Sequence, residues 1–327
     1  MTVEEFLAEW HNESPTILVH TSGSTGQPKP MLVEKRRMGA SARITCQFLG
    51  LHEGDTALLC MPLDYIAGKM MVVRALTCGM RLVSVEPKGC PEWEGTVDLA
   101  AMVPLQVWNL LQQAPERLRQ IRHLLIGGGA INDELAEALK DFPNYVWSTY
   151  GMTETLSHIA LRRLNGPERS DWYTPFEGVT VSLNDEGCLV IDAPAVHDGP
   201  LVTNDIAELL PLTTHHSPLT THQFRILGRK DNVICSGGIK IQIEEVERLL
   251  RPHLAAPFMI TKVPDTSLGE QVVLLTESTD IPAIQTLCRS VLPRYWQPRR
   301  ILFVDHIPMT ATGKPARAEA ERLAQGL

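Results

Sequence analysis

No apolar run in this 327-residue sequence approaches the length of a membrane span, so no membrane-spanning helix is expected within it. No basic block stands out either, and the formal net charge of −8 argues against general nucleic-acid binding. The opening stretch, Met1 to Trp10, carries Glu4, Glu5 and Glu9 and lacks the character of a secretory signal. Seven cysteines lie scattered from Cys46 to Cys288 without a C-x-x-C pair. An odd, unpaired set fits reduced thiols in a cytoplasmic protein, each acting as a small buried hydrophobe. Internal repeats and low-complexity tracts are absent. The familiar phosphate loop, G-x-x-x-x-G-K-[ST], is missing as well.

What is present is a chain of ordinary globular composition, 44% apolar and 21% charged, long enough for one large domain or two. Its densest local signal is Thr21-Ser22-Gly23-Ser24-Thr25-Gly26-Gln27-Pro28-Lys29, which follows Ile17-Leu18-Val19, a run that reads as a buried strand. The glycines let the backbone turn and approach a ligand closely, successive N–H groups can form an anion-binding concavity, and Lys29 adds positive charge. Taken alone, the stretch favours a nucleotide site, with a Ser/Gly-rich surface linker as its plain reading.

Hydrophobic patterning then predicts helices over 2–10 and 35–49, a strand over Thr56–Cys60, a helix over 66–78 and a strand over Arg81–Val85. Strands near 97–102, His123–Ile126 and Tyr145–Thr149 alternate with helices near 104–113 and 131–140, which implies a layered, largely parallel α/β core. After residue 156 the pieces become short and β-rich, at Val179–Leu183, Cys188–Ile191 and Phe224–Leu227, as in an antiparallel subdomain. Beyond Gly228-Arg229-Lys230-Asp231 a small α/β domain is expected, with a Gly-containing turn at 236–238, helices over 243–251 and 282–290, and strands near 257–262, 271–276 and 300–304. The predicted division is 1–228 and 232–327, joined through 229–231.

Four further segments give the Ser/Gly loop a context. Tyr150-Gly151-Met152-Thr153-Glu154-Thr155 follows a strand, where α/β proteins place ligand sites. Thr203-Asn204-Asp205-Ile206-Ala207-Glu208 offers an acid to ribose hydroxyls. Gly228-Arg229-Lys230-Asp231 with Ser236-Gly237-Gly238 marks the junction, and Pro308-Met309-Thr310-Ala311-Thr312-Gly313-Lys314-Pro315-Ala316-Arg317 sets a lysine on a tight turn. Singly, each has a plain reading: a solvated turn lysine, a helix N-terminal acid at Glu154, a turn cap at Asp205, an exposed helix face at Glu245 and Glu247, core packing for Met61, Met70, Met71 and Met80, and a satisfied, partly buried His158.

In this order and spacing the five segments resemble the adenylate-forming superfamily of acyl-CoA synthetases, peptide-synthetase adenylation domains and luciferases, over about residues 16 to 317. Met61-Pro62-Leu63-Asp64-Tyr65-Ile66-Ala67-Gly68-Lys69 and Tyr150 through His158 are further similar to the short o-succinylbenzoate–CoA ligases of menaquinone biosynthesis. The resemblance implies a large N-terminal domain, a mobile C-terminal domain and a two-step reaction: a carboxylate attacks the α-phosphate of Mg-ATP, and the CoA thiol then displaces AMP. It gives Thr21, Ser22, Gly23, Ser24, Thr25, Gly26 and Lys29 to the β,γ-phosphates, and Gly128, Gly129, Ala130, Tyr150 and Gly151 to adenine. It gives Thr153 to the α-phosphate, Glu154 to Mg²⁺, Asp205 and Arg229 to the ribose, and Lys314 to the attacking carboxylate and α-phosphate. Asp231 falls at the hinge, and Ser236, Gly237 and Gly238 at the thiol tunnel.

An o-succinylbenzoate dianion presents one carboxylate to activate and a second to recognise, which calls for a cation near the acyl pocket. Lys69 and Arg74 are the candidates; they fall on different faces of one helix, and Lys69 is preferred, with Tyr65, Thr155 and Ser157 beside it. Two departures from the family pattern stand out. Only 20 residues precede the loop, so a family N-terminal subdomain is expected to be absent, its covered surface exposed or buried in a homodimer. Asp64-Tyr65 also replaces an aromatic–histidine pair. Another aryl or acyl acid, a carrier-protein acceptor and a non-catalytic nucleotide-binding module remain open alternatives.

Overall fold

The computed structural model describes residues 1–20, 30–129, 131–210, 222–310 and 314–326. The phosphate-loop candidates Thr21 to Lys29, together with Ala130, Thr312 and Gly313, lie outside the described residues. The chain divides into two compact units. The first comprises Met1–Ser182, Val190–Val202 and Leu209–Arg225; the second comprises Leu183–Leu189, Thr203–Glu208 and Ile226–Leu327.

The first unit opens with helix α1 (Val3–His11), which begins at a capping box: Thr2 Oγ1 accepts from the Glu5 amide and the Glu5 carboxylate accepts from the Thr2 amide. Strands β1 (Thr16–His20) and β2 (Pro30–Glu34) pair antiparallel, Ile17 opposite Val33 and Val19 opposite Met31. Ile17 and Val19 are buried while Leu18 is 43% exposed, so the run read as a wholly buried strand is one arm of a half-buried ribbon. Period-two alternation makes this inevitable once only one face is covered.

Helix α2 (Lys35–Leu49), strand β3 (Thr56–Leu59), helix α3 (Ile66–Thr77) and strands β4 (Arg81–Ser84) and β5 (Val97–Met102) follow. Then come α4 (Pro104–Gln113), α5 (Pro115–Arg119), β6 (Ile121–Ile126), α6 (Asp133–Leu139), β7 (Tyr145–Gly151), β8 (His158–Arg163) and β9 (Thr174–Pro175). The sheet order is β4-β3-β5-β6-β7-β8-β9; β4 to β7 are parallel, and β7-β8 and β8-β9 are antiparallel. Its core is the near-continuous apolar set that parallel strands need, including Leu58, Ala100, Leu124, Ile126 and Val146, closed by Leu110, Leu118 and Leu139 from the helices. Met61, Met70, Met71 and Met80 are all buried.

Strands β10 (Thr180–Leu183), β11 (Cys188–Asp192), β12 (Leu201–Leu209) and β13 (Phe224–Arg229) form a sheet in that order. In the second unit β14 (Val233–Ser236) and β15 (Ile239–Gln242) make a hairpin, followed by α7 (Ile243–Leu250), β16 (Phe258–Asp265), β17 (Gly269–Thr276), α8 (Ile281–Val291), β18 (Arg300–Phe303) and α9 (Arg317–Gly326). Along β17, Val272 and Leu274 face α7 and α8 while Val273 and Leu275 face α9, giving the sheet a core on each side.

Two sequence expectations need correction here. Glu247 is not on an exposed face: it is buried, accepts both guanidinium nitrogens of Arg317 at 2.5 and 2.8 Å, and accepts the Ile260 amide at 2.9 Å. Glu245, by contrast, pairs with exposed Arg248 one turn away. Cys235 is exposed, unlike the other cysteines, and all seven thiols are free.

Candidate active site

The seven-stranded sheet changes direction at β7, and four of the residues expected to hold nucleotide, Tyr150, Gly151, Thr153 and Glu154, lie at or just after that strand's end. The register slips between Tyr150 and Gly151, where β7 bulges against β8. A side chain on Gly151 would put its Cβ 2.3 Å from the Ser157 carbonyl oxygen and 2.4 Å from His158 Cα, so only glycine fits. Tyr150 sits edge-on to Phe224, ring centroids 5.0 Å apart, and tilted against Tyr173 at 5.8 Å. Ser148 holds the Tyr173 hydroxyl at 2.7 Å. At the end of neighbouring β6, Gly127 lies where a Cβ would come 2.3 Å from Thr149 Oγ1, and Gly128 turns the chain at φ +77°.

The turn after β7 is built by its own side chains. Thr155 is fully buried, and its hydroxyl links the Met152 amide (3.0 Å) to the Ser157 carbonyl (2.8 Å). It shapes the turn, so its hydroxyl is occupied where a substrate contact was expected. Leu156 adopts φ +66°, a left-handed conformation that costs a β-carbon-bearing residue about 1–3 kcal/mol. Thr153 is buried, and Glu154 is exposed beside it. An open carboxylate on a strained turn is a suitable ligand for Mg²⁺ arriving with a nucleotide, since that ion keeps several waters and takes few protein oxygens.

The two cations of α3 diverge. Lys69 is buried, donates to the Leu18 carbonyl at 2.8 Å and lies 5.9 Å from the Phe6 ring centroid; burial lowers its pKa. It braces β1. Asp64 is exposed and faces the N-terminal ammonium at 3.5 Å, while Tyr65 is half-buried at the start of α3. Arg74 points elsewhere: it is fully buried, and its Nη2 donates to Ser157 Oγ at 2.5 Å. Its Nε has no hydrogen-bond partner, and no carboxylate pairs with it among the described residues. Burial lowers its pKa to about 10, which leaves it cationic at neutral pH. Ser157 also meets His158 Nδ1 at 3.3 Å, and His158 Nε2 meets Thr45 Oγ1 at 3.1 Å. Sequence reasoning placed Ser157 beside Lys69 as a further donor to the acid; the cation it meets is Arg74.

In the second unit, Arg229 bridges two carboxylates, Asp205 at 3.3 Å and Asp231 at 2.9 Å, and Asp231 also accepts from Asn204. Gly237 and Gly238 form the two-residue tip of the β14–β15 hairpin, both with positive φ, as a tight primed turn requires. Lys314 is tied to Thr310, whose amide donates to the Lys314 carbonyl at 2.7 Å and whose hydroxyl accepts the Lys314 amide at 3.0 Å. Burial lowers the Lys314 pKa, and the Arg229 guanidinium lowers it further.

These observations converge with the comparisons to known proteins. Residues 4–199 match the model of the AMP-binding enzyme family. A 2-succinylbenzoate–CoA ligase of Geobacillus kaustophilus is 29% identical, over 95% of this chain and 70% of its own length. An acyl-CoA synthetase (AMP-forming)/AMP-acid ligase II-like protein of Dyadobacter fermentans is 32% identical, with TM-score 0.63 over 96% of this chain and 91% of that one. An o-succinylbenzoate CoA synthetase from Bacillus subtilis, solved with the acyl-adenylate OSB-AMP, shares the fold with TM-score 0.76 at 23% identity, covering 93% and 68% of the two chains. The matched span covers more than half of the sequence and contains the β7 turn and Arg74, and on that ground the chain belongs to the AMP-binding enzyme family.

Proposed function

We propose that this chain is an AMP-forming acid–CoA ligase whose acid is o-succinylbenzoate. The observation that carries the acid's identity is Arg74: a buried guanidinium beside Ser157 with an unpartnered Nε and no carboxylate of its own among the described residues. Burying a cation is costly unless it is paired, and a dicarboxylate substrate supplies the missing anion. Lys69 suits this role less well, because its ammonium already serves the Leu18 carbonyl. The ligases to which the chain is similar act on the same acid by name.

In the first half-reaction the aliphatic carboxylate attacks the α-phosphorus of ATP, forming the acyl-adenylate and releasing pyrophosphate. Tyr150, Gly151, Gly128 and Gly129 frame the base, Thr153 approaches the α-phosphate, and Glu154 receives the Mg²⁺ that accompanies ATP. Asp205 accepts the ribose hydroxyls, its orientation fixed by Arg229. Lys314 neutralises charge between carboxylate and phosphate; its lowered pKa beside Arg229 marks a place where an incoming anion is favoured. Thr21 to Lys29 and Ala130 complete the nucleotide site in this reading. In the second half-reaction the CoA sulfur attacks the acyl carbon and AMP departs. We assign Asp231, within 229–231, to the hinge joining 1–228 to 232–327, and Ser236, Gly237 and Gly238 to the surface that receives the thiol.

ATP–pyrophosphate exchange over a panel of acids tests the proposal. Exchange should depend on o-succinylbenzoate and fall sharply with an analogue lacking the ring carboxylate. Equal exchange with the two acids would remove the dicarboxylate assignment, and no exchange with any acid would favour a non-catalytic nucleotide-binding module.

A further inference from the structure

With a neutral imidazole at His158, the polar chain behind Arg74 has only one self-consistent arrangement of hydrogens. Thr45 lies on α2 and its hydroxyl donates to the Ser41 carbonyl one turn back, at 3.1 Å. Having one hydrogen, that oxygen can only accept from His158 Nε2, 3.1 Å away. The imidazole therefore carries its proton on Nε2 and leaves Nδ1 bare. Ser157 Oγ, 3.3 Å from Nδ1, must donate to it, and so turns a lone pair toward Arg74 Nη2 at 2.5 Å. Burial, and then the charge of Arg74, push the His158 pKa well below its usual value, which agrees with a neutral ring. The Phe176 ring lies edge-on to the imidazole, centroids 5.5 Å apart, and limits its rotation.

We infer that His158, held by Thr45, is a positioning residue for substrate specificity: through the Ser157 hydroxyl it aims the Arg74 guanidinium at the second carboxylate of the acid. This inference rests on the dicarboxylate reading of Arg74 given above. It assigns Ser157 an unexpected part. Its hydrogen is committed to His158, so it orients Arg74 as an acceptor, and the carboxylate is received by the remaining guanidinium N–H groups, the unpartnered Nε–H among them.

The test compares paired variants in ATP–pyrophosphate exchange, with o-succinylbenzoate and with its analogue lacking the ring carboxylate. Thr45→Val removes the acceptor for Nε2, and Thr45→Ser retains it. His158→Gln keeps a polar group near the Nε2 position and loses the one facing Ser157, whereas His158→Asn keeps the latter. Thr45→Val and His158→Gln should raise KM for the diacid about three- to tenfold, as the loss of an orienting hydrogen bond does. KM for ATP and for the analogue should stay within about twofold. Thr45→Ser and His158→Asn should recover most of the loss. A parallel rise for ATP and both acids would reduce the chain to a structural role and overturn the inference, as would unchanged KM in Thr45→Val and His158→Gln. Arg74→Lys separates this from the underlying reading. A diacid KM raised about tenfold or more in Arg74→Lys alone keeps the carboxylate site and rejects the positioning role. An unchanged value removes both.

Discussion

Lys69 and Arg74 are five residues apart on α3, about 140° around the helix, so spacing alone separates them without saying which faces the acid. The contact on which the proposed role of Arg74 rests, Arg74 to Ser157, spans 83 residues and lies beyond local reading. Lys69 illustrates the opposite trap: a buried lysine beside a presumed pocket whose ammonium serves backbone. The turn that carries Tyr150, Gly151 and Glu154 is easier to read, because a strand end followed by Gly and Thr residues already encodes a tight turn. Lys314 carries the sharpest expectation at this scale. Lys314→Ala should slow the o-succinylbenzoate-dependent exchange about 100-fold or more, the cost of removing a donor aimed at developing charge. Thioester formation from a supplied acyl-adenylate should change little. Equal losses in the two half-reactions, measured separately, would withdraw the assignment of Lys314 to adenylation.

Elements were legible where periodicity was strong. Helix α2 and strands β5 and β17 announce themselves by their apolar repeats, and the Gly237-Gly238 turn by its residue pair. Strand β12 was missed because its nine residues mix Thr, Asn, Asp and Glu with apolar positions. The anchor of helix α9 was missed for a different reason. Glu247 is one more acid in an acidic helix until Arg317, 70 residues later, folds onto it and onto the Ile260 carbonyl at 2.9 Å. This fork sits three residues past Lys314. Glu247→Ala leaves Arg317 without its carboxylate and should lower the unfolding free energy by about 3 kcal/mol. Glu245→Ala, whose partner Arg248 is exposed, should cost less than about 1 kcal/mol. Urea midpoints of the two variants at unchanged slope measure this, and equal costs would contradict the anchor.

For the molecule as a whole, the alternation of strands and helices already implied a parallel sheet, and the later β-rich texture implied antiparallel pieces. What composition did not reveal is how histidines are buried. His158 is held neutral, and His123, whose Nδ1 accepts from Trp147 Nε1 at 3.3 Å, is pushed down to about 4 by burial and then by Arg122 and Arg163. Both folded-state values lie below the ordinary 6.5, so as pH falls the unfolded chain takes up protons first. The contribution of His123 is therefore complete above about pH 6.5 and is lost as pH falls toward 4, at about 1.4 kcal/mol per pH unit, and that of His158 is lost in the same direction. Urea unfolding followed by tryptophan fluorescence should show stability declining from pH 6.5 to 5. A flat profile there would mean that these histidines titrate normally in the fold.

In the proposed reaction the chain activates one carboxylate of o-succinylbenzoate through an adenylate and passes it to CoA. The most direct measurement is product analysis of the purified protein with o-succinylbenzoate, ATP, Mg²⁺ and CoA. The expected products are o-succinylbenzoyl-CoA, AMP and pyrophosphate in equal amounts; with CoA withheld, pyrophosphate and acyl-adenylate should form with no thioester. Formation of ADP and phosphate, or an adenylate that never yields the CoA thioester, would contradict it.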